Sequence, residues 1–310
     1  MTESAAHCPK HPDFCFSFTE SLAIFVGVAE RMKRWCGLGT PTSKVKTVSR
    51  KGVTALMYHH IGPTYPGTHR NLTISADQFE HQMQQLARQG YVGISPADWL
   101  HRVRDGRELP NKPILLTFDD AYADTAQYAL PILKRYGFSA AVFVVTRHIG
   151  GTNAWDEATG SGTLKLMSAE QIRHWASQGI EFGAHGRTHA DLSKLSPDEC
   201  ANEIVGSKND LATLLGLPVV SFAYPYGIYN KTICDLVRTQ FDLAFSTEQG
   251  VNYLPSDMHL LRRAHVDPDD SPAEFWLNVR IGGINWRARL RIRSRLKKAV
   301  RILLPAHAQK

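Results

Sequence analysis

The chain reads as an α/β protein: a distorted (β/α) barrel of about seven parallel strands, TIM-related but one strand short. Three observations predict this. From residue 52 onward, apolar runs of strand length alternate with capped amphipathic segments of helix length. About seven such runs occur, too few for the eight-stranded form. Polar residues able to do chemistry recur directly after these runs, where α/β folds carry their sites. An open doubly wound sheet shares the same alternation and is the structural alternative.

The elements follow in order. VTALMY (53–58) reads as a strand and SADQFEHQMQQLARQG (75–90) as a helix. Ser75 is the expected N-cap, Gln78 completes a capping box, and Gly90 is the stop. PADWLHRVRDG (96–106) is a second helix. ILLTF (114–118) is a buried strand ending on Asp119 and Asp120. The next helix runs to Tyr136, with Pro131 marking a kink or break and Gly137 ending it. SAAVFVV (139–145) is a strand, and a loop of about twenty residues, 147–167, follows, a length often tied to function. SAEQIRHWASQG (168–179) and the stretch 196–216 are helices with Ser168 and Ser196 as caps. IEFGAH, VVSFAYP, DLAFS and HLLRRAHV (180–185, 219–225, 242–246, 259–266) are strands, and SPAEFWLNVR (271–280) is a closing helix.

Composition narrows the class. The 310 residues are 43% hydrophobic, enough for a sizeable core. The net charge of +7 is local: Arg287, Arg289, Arg291, Arg293, Arg295, Lys297, Lys298 and Arg301 exceed it by themselves. The body is close to neutral, which argues against nucleic acid as a partner. The five cysteines, Cys8, Cys15, Cys36, Cys200 and Cys234, are odd in number and lack CxxC spacing. They suggest neither a disulfide framework nor a cysteine zinc site, and favour a reducing compartment. The apolar run LAIFVGVA (22–29) is too short to span a membrane and makes a poor signal peptide. That favours a cytoplasmic or membrane-associated location, with an extracytoplasmic one left open. Three segments result: an uninformative extension over 1–48, a catalytic domain over 49–282, and a basic amphipathic tail over 283–310.

Chemistry concentrates at the strand ends: His59 and His60, Asp119 and Asp120, His185 and His189, Tyr224 and Tyr226, then Arg263 and His265. Five polar strand ends on one rim look like a site. Adjacent carboxylates repel, and burial makes their charged forms costlier. His185 and His189, four apart, would face one point from a helical turn. Two imidazoles and a carboxylate are a common ligand set for a catalytic divalent metal. Such a cation would make the Asp-Asp pair tolerable.

TFDD (117–120) with HGRTH (185–189), in that order and in α/β context, resembles the polysaccharide deacetylase family, the NodB homology domain of carbohydrate esterase family 4. MYHH (57–60), FAYPYG (222–227) and LRRAHV (261–266) resemble further segments of it, nearest the poly-N-acetylglucosamine deacetylase branch. The likeness covers roughly residues 50–280. It implies a NodB-like fold and removal of N-acetyl groups from an amino-sugar glycan, in exopolysaccharide or cell-envelope polysaccharide synthesis. It also implies Asp120, His185 and His189 as ligands of a divalent metal, zinc first, with cobalt or nickel as alternatives. Asp119 would be the general base, the Tyr226 N–H an oxyanion donor, and His265 the acid for the leaving amine. Ala223 stands where most members carry the arginine that orients the base. Arg263 is the candidate replacement, because it shares a strand face with His265. The aspartate-and-tryptophan motif expected before the last strand is missing. His59, Tyr122, Trp155, Asp156 and Tyr224 are the candidate substrate contacts, with one of His59 and His60 lining the pocket and the other packing.

The stretch 286–304 forms an amphipathic pattern, with Ile292, Leu296, Ala299, Val300 and Leu303 on one face. It suits peripheral contact with an anionic membrane, or packing on the domain. Two competing functions share the residues: a deformylase or amidase acting on a small or lipid-linked sugar, and a non-catalytic glycan-binding protein.

Overall fold

A computed structural model describes residues 52–63, 72–159, 162–254 and 257–283. The extension over 1–48 and nearly all of the basic tail over 283–310 lie outside them. The strands are β1 (Thr54–Tyr58), β2 (His60–Ile61), β3 (Thr73–Ile74), β4 (Val92–Gly93), β5 (Pro113–Phe118), β6 (Ala141–Val144), β7 (Glu181–Ala184), β8 (Ser221–Ala223), β9 (Leu243–Phe245) and β10 (Ala264–His265). The main sheet runs β10-β1-β5-β6-β7-β8-β9, with β4 also on β5 and every pairing parallel. β2 and β3 pair separately. The run from Leu261 to Val266 laps both ends of this sheet. Leu261 bridges to Phe245 and Arg263 N–H donates to Glu248 O, while Ala264 and His265 pair with Leu56 and Met57 of β1. The sheet thereby curls into the expected seven-strand barrel. The long strand expected over 259–266 is reduced to two residues by this switch of partners.

Helices α1 (Ala76–Arg88), α2 (Pro96–Arg104), α3 (Leu130–Tyr136), α4 (Ala169–Ser177), α5 (Pro197–Leu215), α6 (Lys231–Gln240) and α7 (Pro272–Ile281) follow the strands. Serines cap five of them: Ser75, Ser95, Ser168, Ser196 and Ser271. Reciprocal capping boxes form at Ser168, Ser196 and Ser271. At Ser75 the expected box is half made, because the Gln78 amide instead donates to Pro268 O at 3.0 Å. Before α3 a π turn, Thr125–Ala129, absorbs the break around Pro131.

Alternation along each strand separates two cores. Leu56, Tyr58, Leu116, Phe118, Val142 and Phe222 face the helices. Ala55, Leu115, Phe143, Ala223, Leu243 and Phe245 face the barrel interior, with Trp99 and Leu100 of α2 packed among them. The two-residue period therefore carries the interior face of β1 on to His59, that of β5 to Asp119, that of β7 to His185, and that of the last run to Arg263 and His265. One rim receives all five.

The interior is narrow enough that β7 needs a glycine. A Cβ at Gly183 would stand 2.5 Å from the Phe143 ring and 2.6 Å from Ser221 Oγ. Gly183→Ala is expected to cost about 1–3 kcal/mol through overpacking, read as a lower urea midpoint with an unchanged slope.

Candidate metal centre

The chain turns sharply where the site is built. Among the described residues, four non-glycine residues have positive φ: Asp120 (70°), Ala121 (56°), His189 (61°) and Tyr226 (57°). Each conformation costs on the order of 1 kcal/mol or more for an L residue. All four lie at the C-terminal ends of β5, β7 and β8. The Asp119 N–H still extends the sheet, donating to Tyr58 O at 3.0 Å. The left-handed turn at the next two residues then swings the Asp120 carboxylate towards β7.

Asp120, His185 and His189 converge, with one ligand atom from each within 4.8 Å of the others. Asp120 Oδ1 lies 3.6 Å from His185 Nε2 and 3.4 Å from His189 Nε2. His185 Nδ1 is 2.7 Å from Ala223 O. A carbonyl only accepts, so Nδ1 carries the proton and Nε2 presents its lone pair to the centre. The two histidines meet through a loop containing Gly186 at φ 76°, not through the helical turn that their spacing suggested. Burial lowers the pKa of both imidazoles, with His185 adding to the effect on His189. Burial, then the charges of Asp119 and Asp156, push Asp120 well above the usual carboxylate range. Asp120 Oδ1 is buried without a hydrogen-bond partner. Two neutral imidazoles and one orphaned carboxylate oxygen are the donor set a divalent cation takes, with zinc, cobalt and nickel all suited. The residues fit the metal.

Asp119 has the opposite surroundings. Fully buried Arg263 clamps it with two bonds, Nη1 to Oδ1 at 2.6 Å and Nη2 to Oδ2 at 2.9 Å. The guanidinium also donates to Ser246 O and to Thr117 Oγ1, and lies over the rings of Phe143 and Phe245. Burial pushes the Asp119 carboxyl up, but Arg263, then His185 and His59, overrule it, and it rests well below its ordinary value. His59 Nε2 is 3.9 Å from Asp119 Oδ2, and the His59 ring centroid is 6.0 Å from that of His265. His59 thus lines the centre. His60 packs away from it, stacked on Tyr122 and paired with Asp124.

The aromatic expectations divide. Trp155 stacks on His189 at 4.9 Å, braced edge-on against His148. Asp156 accepts a hydrogen bond from the Asn153 amide, and its charge reaches Asp120, Tyr122 and Tyr226. Tyr226 sets its ring against His189 at 4.4 Å and stays 51% exposed. Two expected substrate contacts are corrected. Tyr224 is wholly buried, its hydroxyl donating to His259 O at 3.1 Å and directed also at Cys234 Sγ. Tyr122 is buried under His60 and bonds to Asp120, so it orients a ligand and offers no face to a sugar. The sequence reading missed the Ala223 and Ser246 carbonyls, which carry no side-chain signature. It also missed Glu203, which contacts the histidine loop from α5.

Burial, ahead of the neighbouring charges, pulls the His59 pKa from 6.5 down to about 3. Its folded value lies below its unfolded one. Between those limits the unfolded chain binds the extra proton, so stability falls as pH falls. In His59→Gln the slope of unfolding free energy between about pH 6 and pH 4 is expected to be shallower, by up to about 1.4 kcal/mol per pH unit. Urea titrations of chelator-treated protein across that range check it.

Comparison with known proteins places the fold among deacetylases. Residues 106–240 match the family model described as polysaccharide deacetylase. A poly-beta-1,6-N-acetyl-D-glucosamine N-deacetylase of Staphylococcus aureus (strain MRSA252) is 25% identical over 210 residues, covering 64% of this chain and 70% of that protein. The structure of the Streptococcus pyogenes deacetylase PplD in complex with acetate matches with a TM-score of 0.65 at 28% identity, covering 74% of this chain and 99% of that one. IcaB from Ammonifex degensii matches with a TM-score of 0.61 at 27% identity, covering 74% and 95%. The stretch 106–240 thus resembles the polysaccharide deacetylase family, and the chain shares the NodB-like fold of these solved deacetylases.

Proposed function

We propose that this chain is a metal-dependent N-deacetylase that removes acetyl groups from an N-acetylated amino-sugar glycan of the exopolysaccharide or cell-envelope kind. The observation that carries the reading is the pairing of two unlike carboxylates. Asp119 is held ionised by Arg263, directly beside Asp120 with its orphaned oxygen and two neutral imidazoles. Neighbouring acids whose surroundings drive their pKa values apart are the mark of divided catalytic roles.

A divalent cation held by Asp120, His185 and His189 would supply Lewis acidity, polarising an amide carbonyl and making water more acidic. The remaining work falls to the protein. Asp119, kept as a carboxylate by Arg263, accepts the proton of the attacking water. The backbone N–H of Tyr226 donates to the carbonyl oxygen as negative charge builds there. His265 gives its proton to the leaving amine, so the poor leaving group departs neutral. Arg263 acts on the reaction through Asp119, fixing both carboxylate oxygens. The exposed ring of Tyr226 and, across His189, the half-buried ring of Trp155 offer faces for sugar stacking, with Asp156 available to hydroxyl groups. Exposed Tyr226 and Ile228 on one short turn favour an extended glycan over a small enclosed substrate.

Acetate release from an N-acetylglucosamine oligomer tests the reading. Release is expected to vanish on chelation and to return with Zn²⁺ or Co²⁺. In Asp119→Asn it is expected to fall by about 10²–10⁴-fold while metal binding is kept. Release that survives chelation, or an Asp119→Asn variant with full activity, would contradict it.

A further inference from the structure

The distance between His185 and His189 is not set by secondary structure, since no helix spans them. Gly186, Arg187 and Thr188 separate them, and the partners of those three residues decide where the imidazoles sit. Two consecutive backbone N–H groups, of Arg187 and Thr188, donate to Glu203 Oε2 at 2.8 and 2.9 Å. The Thr188 hydroxyl donates to Oε1 at 2.9 Å. Glu203 projects from the middle of α5, and its side chain is buried. A Cβ at Gly186 would stand 3.0 Å from Oε2, so the glycine both supplies the positive φ and admits the carboxylate.

The carbonyl side of the loop is held as firmly. Thr146 N–H donates to Gly186 O at 3.2 Å and Arg147 N–H to Arg187 O at 2.9 Å. The Arg187 side chain lies across α5 where Gly206 leaves room, a Cβ there falling 2.4 Å from Nε. It forks onto Asp210 with bonds of 2.8 and 2.7 Å, and Asp210 also takes the Thr146 hydroxyl at 2.9 Å. Glu203 and Asp210 are seven apart and share a face of α5.

From these contacts we propose that Glu203 is a positioning residue for the metal centre. Its carboxylate holds the turn that sets the separation and aim of the two imidazoles. The proposal rests on the metal-binding part of the proposed function and not on its substrate. Hydrogen bonds from an anion to two adjacent N–H groups are strong and directional. Metal ligands tolerate only a few tenths of an ångström of displacement. Losing such outer support typically weakens metal binding about 10–100-fold.

Glu203→Gln keeps the volume, removes the charge and leaves one carbonyl oxygen where two carboxylate oxygens accept three hydrogen bonds. Metal-stripped protein is titrated with Zn²⁺ against a chromophoric chelator, and amide hydrogen exchange at Arg187 and Thr188 is followed without metal. Affinity is expected to fall about 10–100-fold, with faster exchange at those two amides. Asp210→Asn, which leaves the backbone bonds to Glu203 in place, is expected to lose less affinity. Should Glu203→Gln fail to fold, Gly186→Ala displaces the same carboxylate from the other side and is read the same way. Unchanged affinity with faster exchange would make Glu203 purely structural and overturn the inference. A wild-type protein that binds no Zn²⁺ would defeat the metal reading itself. Metal binding without deacetylation would defeat only the substrate assignment.

Discussion

A buried carboxylate needs an answering charge, and the site depends on the one that Arg263 gives Asp119. The guanidinium is wholly buried, with its Nε and both Nη nitrogens bonded inside the barrel, and it sits between Phe143 and Phe245. That placement is possible because the run from Leu261 to Val266 closes the barrel and points Arg263 inward. The charge it brings is consumed by Asp119. Asp120, one residue on, has an oxygen facing two neutral imidazoles instead. Closure of the fold and division of labour between adjacent aspartates thus have a common origin. Breaking such a pair on one side typically costs about 3–5 kcal/mol, so the pair is also a structural commitment.

Backbone strain marks the same place. Asp120, Ala121, His189 and Tyr226 hold left-handed conformations around one centre. Around Ala121 and His189, retaining hydrogen bonds come from outside their own segments. The Ala121 carbonyl accepts from Met167 N–H, and the loop before His189 is gripped by α5 and by the residues after β6. The rigid part of the molecule therefore determines where the ligands stand.

Much of this was legible in the sequence, and the limits have physical reasons. Apolar runs, serine caps and terminal glycines report local preferences, so the strands and helices fell close to where they were expected. Strand parity carried Asp119, His185, Arg263 and His265 to one rim, because side-chain direction in a strand depends only on position along it. Aromatic exposure depends on tertiary packing and was not legible: Tyr224 and Tyr122 are buried, while Tyr226, two residues after Tyr224, is open. The HxxxH spacing admitted a helical reading that Gly186 and the α5 contacts override. The half-made box at Ser75 follows from Gln78 finding Pro268, almost two hundred residues away. Backbone acceptors such as Ala223 O leave no trace in a sequence.

In the proposed reaction, Asp120, His185 and His189 hold a catalytic divalent cation beside an ionised Asp119. Anomalous diffraction at the zinc edge, from crystals of Zn²⁺-loaded protein, tests it most directly. One strong peak is expected about 2.0–2.2 Å from an Asp120 oxygen and from Nε2 of both histidines, with Asp119 still clamped by Arg263. A peak elsewhere, or Asp119 displaced from Arg263 to become a ligand, would contradict it.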